Sequence, residues 1–327
     1  MRRAVWVLVL LNMAALALAY AVVQREPVGR AGGVVLWRLD PAAVTRVESR
    51  DAERVVTMRQ ETVPAAAGGG RRVLWITVQA PGAAAPGVAY QGNEIARRLL
   101  DNLATLKARR RLGGVDQAAL AAYGLAAPTQ TVVLERVDGE PLRLHAGRAT
   151  FGGAQRYVRK GDGPKAGDAV VYLLPNSILA RFSAPQRLLD RTVLPRERRD
   201  AGRLRLQWRG QTMELRRTEG PAGAGWAKAE GGAPLPAAKA VVDALAGLAV
   251  AEYVAPQRVG TGDAPRLAVA FFGDGSAADA APEHWLRVYG EGREPLLVSS
   301  YTQHPVLAVN AGVATLLKHV AALFAAE

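Results

Sequence analysis

The order of elements in this chain repeats, and that repetition limits what it can fold into. Residues 99–106 read LLDNLATL and residues 241–248 read VVDALAGL. Each octet sits in the same succession of patterns. In the first copy, VTRVESRDAERVVTMRQ alternates at Val44, Arg46 and Glu48 and again from Arg54 to Arg59, around a polar turn at Asp51, which predicts an antiparallel hairpin. RVLWITVQ follows as a strand carrying Trp75, and then an amphipathic helix. Asn93 is its predicted N-cap, Glu94 favours its first turn, Ile95, Leu99, Leu103 and Leu106 share a face, and KARRR is expected at its C-terminus with LGG as the stop. After the connector AAYGLAAP come a hairpin around Asp138 and Gly139, two strands in QRYVRK and DAVVYLLP, and a short helix at NSILARF.

From residue 203 the succession recurs. RLRLQWRGQTMELRR is a hairpin turning at Arg209 and Gly210, GWAKAE supplies Trp226, and PAAKAVVDALAGLAVAEYV is the helix with Val241, Leu245 and Leu248 on one face. APRLAVAFFGDG and WLRVYGEGR answer the second hairpin, and HPVLAVNAGVATLLKHVAALF is again a strand and a helix. The helices are offset by 142 residues and the tryptophans by 151, a difference matched by the loop PGAAAPGVA in the first copy. A tandem duplication is the expectation. Two copies are too few for a solenoid, so the predicted fold class is α+β: two duplicated modules, each a mostly antiparallel sheet with a packed helix.

The predicted organisation is a membrane segment at 1–24, a flexible stalk at 25–33, a first module at 34–185, a basic connector at 186–202 and a second module at 203–327. At the N-terminus, Arg2 and Arg3 precede an uncharged run from Val5 to Val23, closed by Arg25 and Glu26. Nineteen helical residues span ~28 Å, close to the hydrocarbon thickness of a bilayer. The flanking arginines place the N-terminus in the cytoplasm and the bulk of the chain outside, on a cytoplasmic (inner) membrane. A cleaved signal peptide is the alternative, since Ala17, Ala19 and Ala21 offer small-x-small sites.

The net charge is +13, and of 42 basic residues six are Lys and the rest Arg. Such a bias reads first as base composition, and export places nucleic acid low among partners. Cysteine is absent, which excludes thiol nucleophiles, Cys-ligated zinc and disulfides. No HExxH, GxSxG, P-loop or Rossmann fingerprint is present. His145, His284, His304 and His319 lack metal-site spacing, and Asp101 and Asp243, at matching positions of the two helices, read as solvated rather than as an acid–base pair. Catalytic residues, cofactors and metals are therefore expected to be none. Trp75 and Trp226 read as equivalent core anchors. The RERRD run places Arg196, Arg198 and Arg199 in the connector, away from any helix dipole, as the candidate contact to an acidic protein surface or anionic envelope polymer.

The LWI strand at 74–76, the LLDNLATL helix, YGLAAPTQTVVLE at 123–135, RYVRK before DAVVYLLP, and RLLDRTVLP at 187–195, behind one N-terminal apolar run, resemble the bacterial domain-of-unknown-function family numbered 4340. The resemblance extends from about residue 34 to the end. It implies a membrane-anchored envelope protein without assigned activity, often encoded beside ABC-type transporter components, and it transfers no catalytic residue. The long Ala/Pro/Gly loop before the first helix and the high Arg content depart from the family pattern. The function expected is that of a non-enzymatic accessory or scaffold protein of an ABC-type transport or envelope-assembly system. A binding module for an anionic polymer or exported solute in the cleft between repeats is the alternative, and an envelope hydrolase with dispersed carboxylates a remoter one.

Overall fold

The computed structural model describes residues 33–64, 70–84, 87–161, 169–194, 201–220, 223–260, 262–277, 280–290 and 294–326. The apolar run with Arg2, Arg3 and Arg25, and the cluster of Arg196, Arg198 and Arg199, lie outside the described residues. In chain order the first half comprises β1 (Val34–Val35), β2 (Val44–Asp51), β3 (Val55–Pro64), β4 (Gly70–Gln79), β5 (Tyr90–Gln91), α1 (Glu94–Ala104), β6 (Lys107–Ala108), β7 (Arg110–Val115), α2 (Gln117–Ala122), β8 (Gln130–Arg136), β9 (Leu142–Ala149), β10 (Gln155–Lys160), β11 (Ala169–Pro175) and α3 (Asn176–Leu179). The second comprises β12 (Arg203–Trp208), β13 (Gln211–Gly220), β14 (Gly223–Lys228), α4 (Pro236–Ala246), β15 (Val250–Tyr253), β16 (Leu267–Phe272), β17 (His284–Tyr289), β18 (Leu296–Ser299), β19 (Val306–Ala308) and α5 (Asn310–Ala325). Both large sheets are antiparallel throughout, so the protein is α+β with strands predominating.

The first sheet runs β5-β4-β3-β2-β8-β9-β10-β11-β7 and the second β14-β13-β12-β16-β17-β18-β19-β15. Apart from the two-residue β5, the connectivity is the same: three meandering strands, a helix, an edge strand at the far side, then four strands that return across the gap. Period-two side-chain alternation makes each sheet two-faced. In β2, Val47 and Ser49 point inward while Arg46, Glu48 and Arg50 point out. In β12, Leu204, Leu206 and Trp208 are buried while Arg205 and Gln207 face outward. The turn between β12 and β13 holds Arg209 and Gly210 at φ 51° and 81°, the left-handed pair that matches strand twist in a two-residue hairpin.

The helices cover the inner faces. Asn93 caps α1 as expected, its Oδ1 accepting from the backbone N–H of Ile95 and Ala96 at 2.9 and 3.1 Å. The buried stripe of α1 is Ala96, Leu99, Leu100 and Leu103, however, and Ile95 is exposed. The helix also stops earlier than its pattern suggests. Thr105 closes it, its Oγ1 donating to the Asp101 carbonyl at 2.8 Å, and the KARRR run forms β6 and the start of β7 instead. The chain leaves the helix because β7 pairs with β11 and closes that side of the sheet. The second half departs from its sequence pattern alike: the AVAEYV segment read as helix forms the edge strand β15, paired with β19. The short α2 in the first connector and the strand β18 were likewise not expected.

After each edge strand a small excursion covers one end of the outer face. In the first sheet α2 and Leu125 bury Ala169 and Val171 beside a Tyr123–Tyr157 stack with centroids 4.3 Å apart. In the second, Val254 and Val259 pack on Tyr289 and Leu296.

The expected equivalence of Trp75 and Trp226 does not hold. Trp226 shares the inner face with Leu215 and Leu204, as the pairings Leu215 to Lys228 and to Leu204 require. Trp75 pairs with Arg59 and thus with Arg46, on the outer face. A one-residue shift of register moves a side chain to the opposite face, so the inner-face positions of β4 are Leu74 and Ile76. Trp75 is buried for a different reason: with Val63 and Val73 it joins the core of the second half. Among the described residues no helix is long and apolar enough to cross a membrane.

Candidate binding faces

Hydrogen bonds cross the junction of the two halves. Residues 188–193 run between them as an extra strand-like segment. On one side Asn93 N–H donates to the Leu188 carbonyl and Asp190 N–H to that of Gln91, both at 2.8 Å, and on the other Val250 N–H donates to the Arg191 carbonyl at 2.9 Å. The contacts across this seam are specific. The Trp75 ring stacks on His304 at 4.2 Å between centroids. Gln91, 1 % exposed, donates from Nε2 to the carbonyls of Tyr301 and Thr302 at 2.5 and 3.0 Å. Arg71 donates to the Tyr301 carbonyl at 2.7 Å and lies over its ring at 4.4 Å. Tyr301 Oη donates to Asp190 Oδ2 at 2.7 Å, and Ser299 Oγ to the Val193 carbonyl at 2.9 Å. Burial, then the bond to Asp190 and its charge, pushes the Tyr301 phenol up to about 12. Burial lowers the His304 pKa, against opposing effects of the Ala89 backbone and Glu61. Buried hydrogen bonds on this scale fix one relative orientation, with His304 Nδ1 left without a hydrogen-bond partner among the described residues.

Besides a groove of about 430 Å³ between α1 and residues 177–188, open surface lies at the middles of the two outer faces. On the first sheet a groove of about 370 Å³ is lined by Glu48, Arg50, Thr131, Val133, Glu135 and Arg143. Its charges answer one another: Arg46 bonds Glu48 at 2.7 Å and Glu135 at 3.4 Å, and Arg50 bonds Glu48 at 3.1 Å. On the second sheet the topologically matching strands β12, β16 and β17 form a groove of about 470 Å³. Its floor is Ala268 and Ala270, its walls are Arg205 and Gln207 on one side and Trp285 and Arg287 on the other, and Pro265 and Pro282 also line it. The small side chains create the trough, because every outward neighbour across the strand pairs is larger: Ala270 faces Arg205 and Trp285, and Ala268 faces Gln207 and Arg287.

Arginines dominate the charge of this second groove. Glu214 takes Arg205 at 2.6 Å and Arg203 at 3.5 Å. Arg203 also lies over Phe272 at 4.2 Å. Exposed Arg287 lies over Trp285 at 4.9 Å and has no carboxylate partner among the described residues. Trough, aromatic wall and the exposed Arg287 cation together suit a flat or acidic ligand surface.

Residues 86–267, more than half of the chain, match the family described as Domain of unknown function (DUF4340). The chain belongs to that family. The DUF4340 match begins just before β5 and ends at the first residue of β16, so it takes in residues 188–193 and both helices α1 and α4, while Arg71, Trp75 and residues 299–304 of the seam lie outside it. No curated protein and no solved structure matches the chain.

Of the residues singled out in the sequence, Asp101 and Asp243 are exposed and belong to different helices, Asp243 pairing with Lys239 at 2.7 Å. His145 and His284 lie in strands, His304 lies in the seam and His319 on α5. Among the described residues no group of three or more His, Asp or Glu is placed to hold a metal ion. Sequence reasoning missed the second-sheet groove. Its signal is present as Ala268 and Ala270 alternating with inward Leu267, Val269 and Phe271, two small residues on the outer side of a central strand.

Proposed function

We propose that this DUF4340 chain is a non-enzymatic accessory or scaffold protein of an ABC-type transport or envelope-assembly system, that residues 5–23 anchor it in the cytoplasmic membrane with the bulk of the chain outside, and that its body arose by tandem duplication of one α+β module. The duplication is supported by the shared strand order of the two sheets. The anchor is supported by the uncharged run from Val5 to Val23 between Arg2, Arg3 and Arg25. A binding role is carried by one observation, the open cationic-aromatic groove on the second sheet. Its lining of Arg, Gln, Pro, Ala, Val, Leu and Trp holds no nucleophile–base pair, and it fits an acidic partner surface.

A crosslinked pull-down of the full-length protein from its native membrane, read by mass spectrometry, tests the proposal. Transporter subunits are expected with the wild type and are expected to be lost with Trp285→Ala combined with Arg287→Glu, substitutions at partly or fully exposed side chains. Absence of any transporter or envelope-assembly subunit from the wild-type sample rejects the accessory role. A second reading, an anionic envelope polymer as the ligand, is favoured by the flat alanine floor beside the Trp285 ring. It predicts affinity for acidic polysaccharide that falls steeply with salt, as the screening length drops from ~10 Å at 0.1 M to ~3 Å at 1 M.

A further inference from the structure

We propose that the edge of the first sheet where β1, β6 and β7 meet is a lipid-facing surface that holds the body against an anionic bilayer; the inference rests on the reading of residues 5–23 as an anchor. The first ground is charge without compensation. Lys107, Arg109, Arg110 and Arg111 sit beyond the end of α1, where the helix dipole no longer accounts for them, and all four are exposed. Arg38 is exposed beside them, because Leu36 and Leu39 N–H donate to the carbonyls of Leu106 and Ala104 at 2.9 and 2.8 Å. None of the five has a carboxylate partner among the described residues. The one carboxylate within residues 33–40 and 105–115, Asp40, accepts from Ala42 N–H at 2.8 Å.

The second ground is the tether. Val35 pairs with Lys107 and Val34 with Ala108, so the first described strand lies against the cationic run itself. Eleven residue steps separate Val23 from Val34, and at no more than ~3.6 Å each they reach at most ~40 Å. The edge is thus confined near the end of the anchor, and the effective concentration set by such a short link lets individually weak headgroup contacts add. The third ground is shape. Consecutive residues of a strand point to opposite sides, so Arg110 and Arg111 of β7 fringe the edge from both faces, with exposed Arg109 in the bend before them, as an edge-on approach to a surface requires. Charge on an edge strand also discourages strand pairing, but that duty does not involve Arg38, which lies off the sheet.

The chain has no cysteine, so a fluorophore can be placed through Val35→Cys at this edge and, as a control, through Gln207→Cys on the second sheet. The full-length protein is reconstituted into phosphatidylcholine vesicles and into phosphatidylcholine–phosphatidylglycerol vesicles, recovered by flotation, and quenched with a headgroup nitroxide lipid. Since each basic residue near an anionic surface contributes roughly fivefold to association, quenching at Val35 should be at least about threefold greater on the anionic vesicles and fall to the neutral level in high salt. The variant Lys107→Gln/Arg109→Gln/Arg110→Gln/Arg111→Gln should lose the difference with unchanged thermal unfolding, the corresponding Arg→Lys variant should keep it, and the Gln207 probe should show none. Protein that floats but quenches equally on both vesicles overturns the lipid-facing edge and leaves the anchor standing. Protein that does not float overturns the anchor reading, and with it the tether on which the edge depends.

Discussion

The outer faces of the two sheets are built on the same connectivity and do different things. In the first, the β3–β4 end is covered: Val63, Val73 and Trp75 enter the core of the second half, and what remains open is laced by the ion pairs of Arg46, Arg50, Glu48 and Glu135. In the second, the corresponding strands leave a trough over Ala268 and Ala270 flanked by Arg205, Arg287 and Trp285. One face serves assembly within the chain and the other stays available to something outside it. A fold whose inner face is committed to its own helices has only the outer face to vary, and here the two halves differ there in opposite directions.

The largest test of this contrast is Trp75→Ala. If the first outer face is part of a shared core, the loss should cost about 3–5 kcal/mol, as for other buried aromatics, and urea unfolding should remain one transition in which both halves move together. Two separated transitions would break the comparison. Next comes Tyr301→Phe, which strands Asp190 Oδ2 at the seam. A hydrogen bond to a charged group is worth ~1.5–3 kcal/mol, and equilibrium unfolding should report a loss in that range with little change in cooperativity.

Acid sharpens the same point. Because the folded His304 pKa lies below its ordinary value, the unfolded chain binds this proton more readily. Its contribution to stability is therefore full above the unfolded pKa, about 6.5, and is lost as pH falls from there through the folded value. The melting temperature should decline over that window, and His304→Gln should flatten the decline. The smallest effect belongs to the open part of the first face. Glu48→Ala removes partly exposed ion pairs and should change stability by no more than ~1 kcal/mol, measured by denaturant midpoint, while leaving partner capture by the second groove intact.

Much of the fold was legible because it rests on local patterns. Both hairpins of each half, the Asn93 cap, the Arg209–Gly210 turn and the terminal helix follow from alternation, capping chemistry and left-handed turn residues. The misreadings fall at equivalent places. In Lys107–Arg111 and Val250–Tyr253, segments that continue a helical composition enter strands, because the hydrogen bonds offered by β1, β11 and β19 come from far along the chain and leave no mark on the local pattern. The groove was invisible for a related reason: Ala268 and Ala270 gain meaning only from Arg205 and Trp285, which flank them on neighbouring strands.

The sequence by itself determined the class of the fold, the repeated order of its elements and the presence of a bilayer-length apolar run, since these depend on periodicity, turn chemistry and length. Tertiary structure alone decided which face each tryptophan occupies, that residues 188–193 join the halves rather than separate them, and where open cationic surface remains. Side-chain parity along a strand is relative until pairing fixes it, and a residue is buried or exposed only according to what the rest of the chain places over it.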